Sequence, residues 1–228
     1  MTTNDNNIMS AAAEVLEKTY LFGAIEKKRL AELIRCRGSV AEYQEGDGIS
    51  DGAAALGVVI SGAVRVCAET ATPLRIIGAG GIFGAASVFG GESYLTTITA
   101  EKPSAVLRFE AGAVGDMIKS EPEFAYRYAG FLSDRVKYLN RKIEIFTAGT
   151  AEKKLAFHLL EAARYDTGDD TGDISDVVTT PMGELASALA LGRASLYRAL
   201  DTLTEAGAIE HSGKVIRVLN RDVLRGLL

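Results

Sequence analysis

The sequence predicts an α+β protein in two parts: an N-terminal antiparallel β-roll that leads into a long helix, and a C-terminal winged helix-turn-helix. Three observations carry that expectation. Residues 38–110 hold many short apolar runs separated by glycine, as closely turned antiparallel strands do. Residues 125–146 repeat apolar side chains at alternating spacings of four and three, as a helix with a sustained seam does. Residues 184–219 read as short helix, turn, second helix and hairpin. The expected division is 1–148 for the first domain, with the long helix over about 112–148, and 149–228 for the second.

Composition narrows the function classes. The chain has 228 residues, 47% of them hydrophobic, enough for two cores. It holds no apolar run of membrane-spanning length, and its start is polar, with Asp5 ahead of any apolar run. A cytoplasmic protein with no membrane partner is expected. Cys36 and Cys67 are too far apart in sequence to form a metal pair and too few for an iron–sulfur cluster. They read as free thiols, and no metal or cofactor is predicted. Net charge is −5, yet from Arg193 to the end six basic side chains face four acidic ones. A locally positive surface of that size suits modest, salt-sensitive contact with nucleic acid.

Residues 10–34 predict one or two amphipathic helices broken at Phe22-Gly23, with Leu16, Tyr20, Leu21, Ile25, Leu30, Leu33 and Ile34 on the apolar side. Within the strand-rich part, LGVVISGAVRV (56–66) reads as a hairpin turning at Ser61-Gly62. AGGIFGAASVFGG (79–91) lacks the helix and second strand of a dinucleotide fingerprint. It reads as tight barrel corners or as a loop whose backbone approaches a small ligand.

Residues 111–149 predict helix. Ala125, Ala129, Leu132, Val136, Leu139, Ile143 and Phe146 form its stripe. Leu132, Val136, Leu139, Ile143 and Phe146 are the expected dimer seam, because the heptad persists rather than drifts; packing on the chain's own barrel is the alternative. Ala148-Gly149-Thr150 can act as a hinge before a helix over 152–165 with Leu155, Leu159 and Ala163 inward. His158, among apolar neighbours, is expected to pack rather than ligate. DTGDDTGDISD (166–176) has spaced aspartates but no glutamate at the twelfth position, so a solvated acidic loop is expected rather than a calcium site. Val177 and Val178 suit a short strand, and Thr180-Pro181 a helix start.

In the last part, Leu185 and Leu189 mark a first helix, and Gly192 offers a turn. Leu196, Ala199, Leu200 and Leu203 are the inward stripe of a second helix. Its other face carries Ala194, Tyr197, Arg198 and Asp201, with Arg193 at the first turn. Such a face can enter the major groove of double-stranded DNA, where a guanidinium fork matches guanine O6 and N7. Arg193 and Arg198 are the expected base readers; Ser195, Thr180 and the wing residue Lys214 can hold phosphates. The plain alternative is a helical pair whose arginines are only solvated.

The order of parts, with Gly46-Asp47, SGAVRV (61–66), GAGGIFG (78–84) and LGRASLYRALDTLTEAG (191–207), resembles the cyclic-AMP receptor protein superfamily and its fumarate–nitrate reductase regulator relatives, the Crp/Fnr family. The resemblance spans nearly the whole chain. It implies a cyclic-nucleotide-binding-like jelly roll and a homodimeric one-component transcription regulator on a pseudo-palindromic operator, with RNA polymerase as a further partner if it activates. It also implies an effector in the roll, for which Gly84, Ala85, Tyr94, Thr96, Thr97 and Asn140 are the candidate lining. Departures limit what that effector is. Ala85 stands where cyclic-AMP binders carry a ribose-gripping glutamate, GESYLTTI (91–98) has no basic residue for a cyclic phosphate, and Leu139 and Asn140 replace the adenine-contacting hydroxyl pair. Cyclic AMP by the usual contacts is therefore not expected. Haem is not supported either, since the two histidines, His158 and His211, lie outside the roll. Ala194 replaces the glutamate between the two base-reading arginines, so the operator should differ from the usual half-site. Two rivals stand beside this reading. One is a protein-interaction module that has lost DNA binding, suggested by Ala194, Asp201 and the acidic total. The other is a cupin-like metal enzyme, which needs histidines that the roll does not have.

Overall fold

The computed structural model describes residues 3–49, 54–68, 73–90, 96–165 and 176–228. The elements are α1 (Thr3–Lys18), α2 (Lys27–Arg37), β1 (Gly38–Tyr43), β2 (Ala55–Ala68), β3 (Pro73–Gly78), β4 (Ile82–Phe83), α3 (Ser87–Gly90), β5 (Thr96–Glu110), α4 (Ala111–Ser120), α5 (Pro122–Ala148), α6 (Ala151–Tyr165), β6 (Val177–Thr179), α7 (Met182–Ala188), α8 (Arg193–Glu205), β7 (Ile209–Ser212), β8 (Val215–Val218) and α9 (Arg221–Gly226). They fall into two compact units, 1–135 and 136–228.

The first unit is built on two long strands. β2 and β5 pair antiparallel along most of their lengths, β1 and β3 flank them in the order β1-β5-β2-β3, and β4 adds to β2. Each face of this sheet covers its own core. Leu56, Val58, Ile60, Leu107 and Phe109 pack with Leu16, Leu30, Met117 and Phe124 from the helices and with Phe22 from the turn between α1 and α2; Tyr20, expected on the same apolar side, is instead 56% exposed. Val59, Val64, Val66, Ile98, Ala100 and Val106 pack with Ile49, Ile77 and Phe83 on the inner side of the roll.

The expected hairpin at Ser61-Gly62 does not form: β2 runs straight through it, still paired to β5. The glycine is used for a bulge instead. Gly62 has φ +83°, and a Cβ there would collide with Ser104 Oγ. The buried Ser104 hydroxyl accepts from the Ala63 N–H at 2.9 Å, satisfying a donor that the bulge takes out of the ladder. The bulge also shifts parity. Even-numbered Leu56, Val58 and Ile60 serve the helix-side core, whereas Val64 and Val66 serve the inner one. A local Ser-Gly signal cannot tell a turn from a bulge, because both need a left-handed glycine.

A second correction concerns the long helix. Residues 112–148 are not one helix: α4 ends at Ser120 and α5 begins at Pro122. Proline has no N–H to continue the ladder and pushes the preceding residue out of helical geometry; Glu121 accordingly sits at φ −123°, ψ 89°. From Pro122 the helix continues for 27 residues.

The second unit is a helical core with a three-stranded wing, order β6-β8-β7. Leu155, Leu159, Leu185, Leu189, Leu196, Leu200, Leu203, Ile209, Ile216 and Leu224 are buried together. The turn before α8 differs from expectation. Ala190, not Gly192, takes the left-handed conformation, at φ 50°, while Gly192 is the extended N-cap of α8 at φ −70°. Backbone N–H groups of Ala190 and Leu191 bond back to Ser187 and Ala186, which closes α7 and fixes the turn. Pro181 occupies the N-cap of α7 rather than its first turn, which takes the expected capping position away from Thr180. At the wing, the two-residue turn is Gly213-Lys214, with Ser212 already paired to Val215. The acidic stretch 166–175 lies outside the described residues.

Candidate functional site

The surface of α8 follows from its period. Leu196, Ala199, Leu200 and Leu203 are fully or nearly fully buried, so the helix must turn its remaining side chains outward. Arg193, Ala194, Tyr197, Arg198 and Asp201 are exposed, with Tyr197 at 46%, and Ser195 is half-buried. Arg193 lies at the first turn; its guanidinium reaches back beside Gly183 of α7, 3.9 Å from where a Cβ would stand. Arg198 Nη2 donates to Ser195 Oγ at 3.3 Å. The wing turn leaves Lys214 exposed, while its carbonyl accepts from Thr180 N–H at 2.8 Å and ties the start of α7 to the wing. Thr180 itself is half-buried. The seven predicted nucleic-acid residues thus lie on α8, on the wing turn and at the residue leading into α7, all in one compact unit.

Sequence reasoning missed two neighbours of that surface. Glu152, in the first turn of α6, has its carboxyl held below the usual range by the Thr150 hydroxyl first, then by its own backbone N–H and by the nearby Arg198 charge. The available signal was a threonine at the N-cap, Thr150, followed by an acidic residue in the first turn. His211 of β7 places Nε2 4.0 Å from Asp201 Oδ1 on α8. No sequence period announces that contact, since it joins a strand to a helix.

Candidate effector residues are spread over several surroundings. Gly84 takes φ +77°, and a Cβ there would collide with the Ala55 carbonyl. Ala85 is buried in the helix-side core, and its carbonyl accepts from the Tyr128 hydroxyl of α5. Thr96 is half-buried and Thr97 exposed, on opposite faces of β5 by pleat alternation. On β2, Arg65, not one of these candidates, turns away from the inner core and engages Glu101 with two guanidinium hydrogen bonds. Asn140 is exposed on α5, in the second unit. Tyr94 lies outside the described residues.

Along α5 the predicted seam is open in the single chain. Val136, Leu139 and Ile143 are 55%, 45% and 62% exposed. Leu132 is half-buried against the first unit's core. Phe146 packs on the second unit's core, edge-on to Phe157 at 6.4 Å, with Lys142 and Lys154 ammonium groups 5.7 and 5.9 Å from its centroid.

Beside these lysines, His158 has its pKa pushed down to about 4, chiefly by burial and then by the Lys142 charge. Its folded pKa therefore lies below the 6.5 of a free imidazole. Between those values the unfolded chain takes up a proton that the folded chain refuses. Stability is full above pH 6.5 and is lost as pH falls toward 4, by up to about 3 kcal/mol. Melting temperatures recorded from pH 7 to 4 should fall more steeply for the wild type than for His158→Leu.

Among the described residues no group of three or more His, Cys, Asp or Glu is arranged to hold a metal, and no helix is long and apolar enough to cross a membrane.

Two family models match this chain. Residues 48–121 match the cyclic nucleotide-binding domain and residues 153–227 the Crp-like helix-turn-helix domain. No curated protein matches. Solved structures do. The catabolite activator protein of Thermus thermophilus is 20% identical with TM-score 0.52, over 92% of this chain and 98% of that one. TTHA1359, a CRP/FNR-family transcriptional regulator also from Thermus thermophilus, is 22% identical with TM-score 0.59, over 83% and 97%. FixK2 from Bradyrhizobium japonicum is 19% identical with TM-score 0.60, over 83% and 96%. At these identities the likeness is one of fold. With both domain models matched in order, the chain belongs to the Crp/Fnr family. It is a DNA-binding transcription regulator with a cyclic-nucleotide-binding domain.

Proposed function

We propose that the protein works as a homodimer, in the cytoplasm, on a pseudo-palindromic operator read by α8. The observation that carries this reading is the pair Arg193 and Arg198, exposed on a helix whose leucines are all hidden. Their forks suit guanine in the major groove. Ala194 and Tyr197 lie on the same face. Ala194 cannot accept from cytosine N4 but can pack on a thymine methyl, which sets this operator apart from one read through a glutamate. Ser195, Thr180 and Lys214 meet phosphates. The exposed Val136, Leu139 and Ile143 pair with the same side chains of a second copy, with Leu132 and Phe146 at the ends of the seam. RNA polymerase is the further partner if the protein activates.

The domain ahead of α5 senses a small effector, for which Gly84, Ala85, Tyr94, Thr96 and Thr97 are the candidate residues; Asn140 of α5 is a separate candidate. This effector is not cyclic AMP held by the usual contacts. Ala85 has no carboxylate to offer a ribose, and its carbonyl is engaged by Tyr128. We take the domain boundary to lie at the Ala148-Gly149-Thr150 break between α5 and α6.

Selection of duplexes from a randomised pool tests the reading. The enriched sites should be two-fold related, with half-sites one helical turn apart, roughly 34–36 Å. Enrichment of nothing, together with retention of a stable protein partner, would favour the protein-interaction alternative.

A further inference from the structure

α3 is a single turn, and its neighbours fix which way it points. Ser87 and Val88 are buried, Val88 within the helix-side core, so Phe89 is turned outward and stands 59% exposed. The approach to α3 is tied down. The Ser87 hydroxyl donates to the Gly84 carbonyl at 2.7 Å, and the Tyr128 hydroxyl of α5 donates to the Ala85 carbonyl. Phe89 meets α5 edge-on at Tyr128, with ring centroids 6.0 Å apart. More than half of a large apolar ring is thus left in water beside the long helix.

The place of that contact on α5 is informative. One turn to either side of Tyr128 are Ala125 and Leu132, members of the stripe that continues to Val136, Leu139 and Ile143. The opposite flank, at Arg127 and Gly130, is taken by Tyr20, whose ring lies 5.4 Å from the Arg127 guanidinium. The first heptad of the stripe offers only the methyl groups of Ala125 and Ala129, where later heptads have leucine, valine and isoleucine. Two copies joined along the later side chains leave a gap at these alanines, and Phe89 stands beside it.

Area points the same way. Covering the exposed parts of Val136, Leu139 and Ile143 removes roughly 250 Å² per copy from water. A stable complex covers about 800 Å² per partner. The contact between copies has to reach beyond those three side chains, and Phe89 adds about 100 Å² on the flank of the stripe itself.

We propose that Phe89 belongs to the contact between two copies of this chain: its ring packs on Ala125 and Ala129 of the partner subunit, so that the partner's α5 is clasped between α5 and α3. This rests on the reading of the stripe as a dimer seam. It brings the segment that follows Gly84 and Ala85, two candidate effector residues, into direct touch with the second subunit.

The test uses the full-length protein with the photo-reactive p-benzoylphenylalanine in place of Phe89. Irradiation should give a covalent dimer on a denaturing gel, and digestion of that band should place the link within residues 122–132 of the other copy. No covalent dimer, or a link outside α5, overturns the proposal. Phe89→Ser should weaken association by at least about tenfold in a dilution series followed by sedimentation velocity, because two-fold symmetry counts its loss twice. Far-UV circular dichroism should be unchanged, since the side chain is exposed. Wild-type association in Phe89→Ser overturns the proposal equally. The seam reading fails separately. If Leu139→Glu with Ile143→Glu stays dimeric, the seam and its extension fall together; if that pair gives a monomer while position 89 forms no link, the seam stands and the extension falls alone.

Discussion

Arg198→Ala is expected to cut affinity for the selected operator by at least about thirtyfold and to relax base preference at one position of each half-site. A bidentate arginine–guanine contact is worth about 1–3 kcal/mol, and a two-fold dimer loses two of them together. Arg193→Ala should act alike at a second position. Neither side chain holds the fold: both are exposed, and Arg198 donates to the neighbouring Ser195 hydroxyl at 3.3 Å. Melting temperature should therefore stay within a degree or two of wild type. The decisive comparison is with Lys214→Ala. Loss of a phosphate contact weakens all sequences alike and lowers the salt dependence, whereas loss of a base reader flattens preference. Wild-type specificity in both arginine variants would remove α8 as the reading element.

The second large effect is expected at the seam. Leu139→Glu with Ile143→Glu should convert a dimer into a monomer by light scattering, with far-UV circular dichroism unchanged. Both side chains are about half exposed in the single chain. Symmetry counts each twice, so about 4 kcal/mol of apolar burial is lost. Four carboxylates then face one another across the seam as well. Association should weaken by at least about a thousandfold. Operator affinity should fall with it, because a monomer engages one half-site. A variant that remains dimeric at low protein concentration would place the contact between copies elsewhere.

How far the sequence could be read depended on the range of the signal. The inward stripe of α8 and the exposure of Arg193 and Arg198 were legible because a helical period is local, and Leu196, Ala199, Leu200 and Leu203 obey it without exception. The strand content of 38–110 was legible from its glycines, but what each glycine does was not. Gly62 serves a bulge that exists only because Ser104, forty-odd residues on, supplies its hydroxyl. The turn before α8 misled for a related reason. Gly192 has the intrinsic freedom, yet the bonds from Ala190 and Leu191 to α7 place the left-handed residue at Ala190. At the start of the long helix the cue was present in Pro122, and the apolar pattern running across it masked the break. Of the surface's neighbours, Glu152 stood in a readable cap, while the meeting of His211 with Asp201 depends on tertiary packing alone.

The parity change within β2 bears on which lengths this domain can tolerate. Even-numbered residues up to Ile60 face one core and even-numbered residues from Val64 face the other. Deleting or adding a single residue between them would turn one half of the strand inside out, sending valines to water and polar side chains to the interior. Relatives that keep this roll should vary in length at the connections between strands and hold the count constant from Ile60 to Val64.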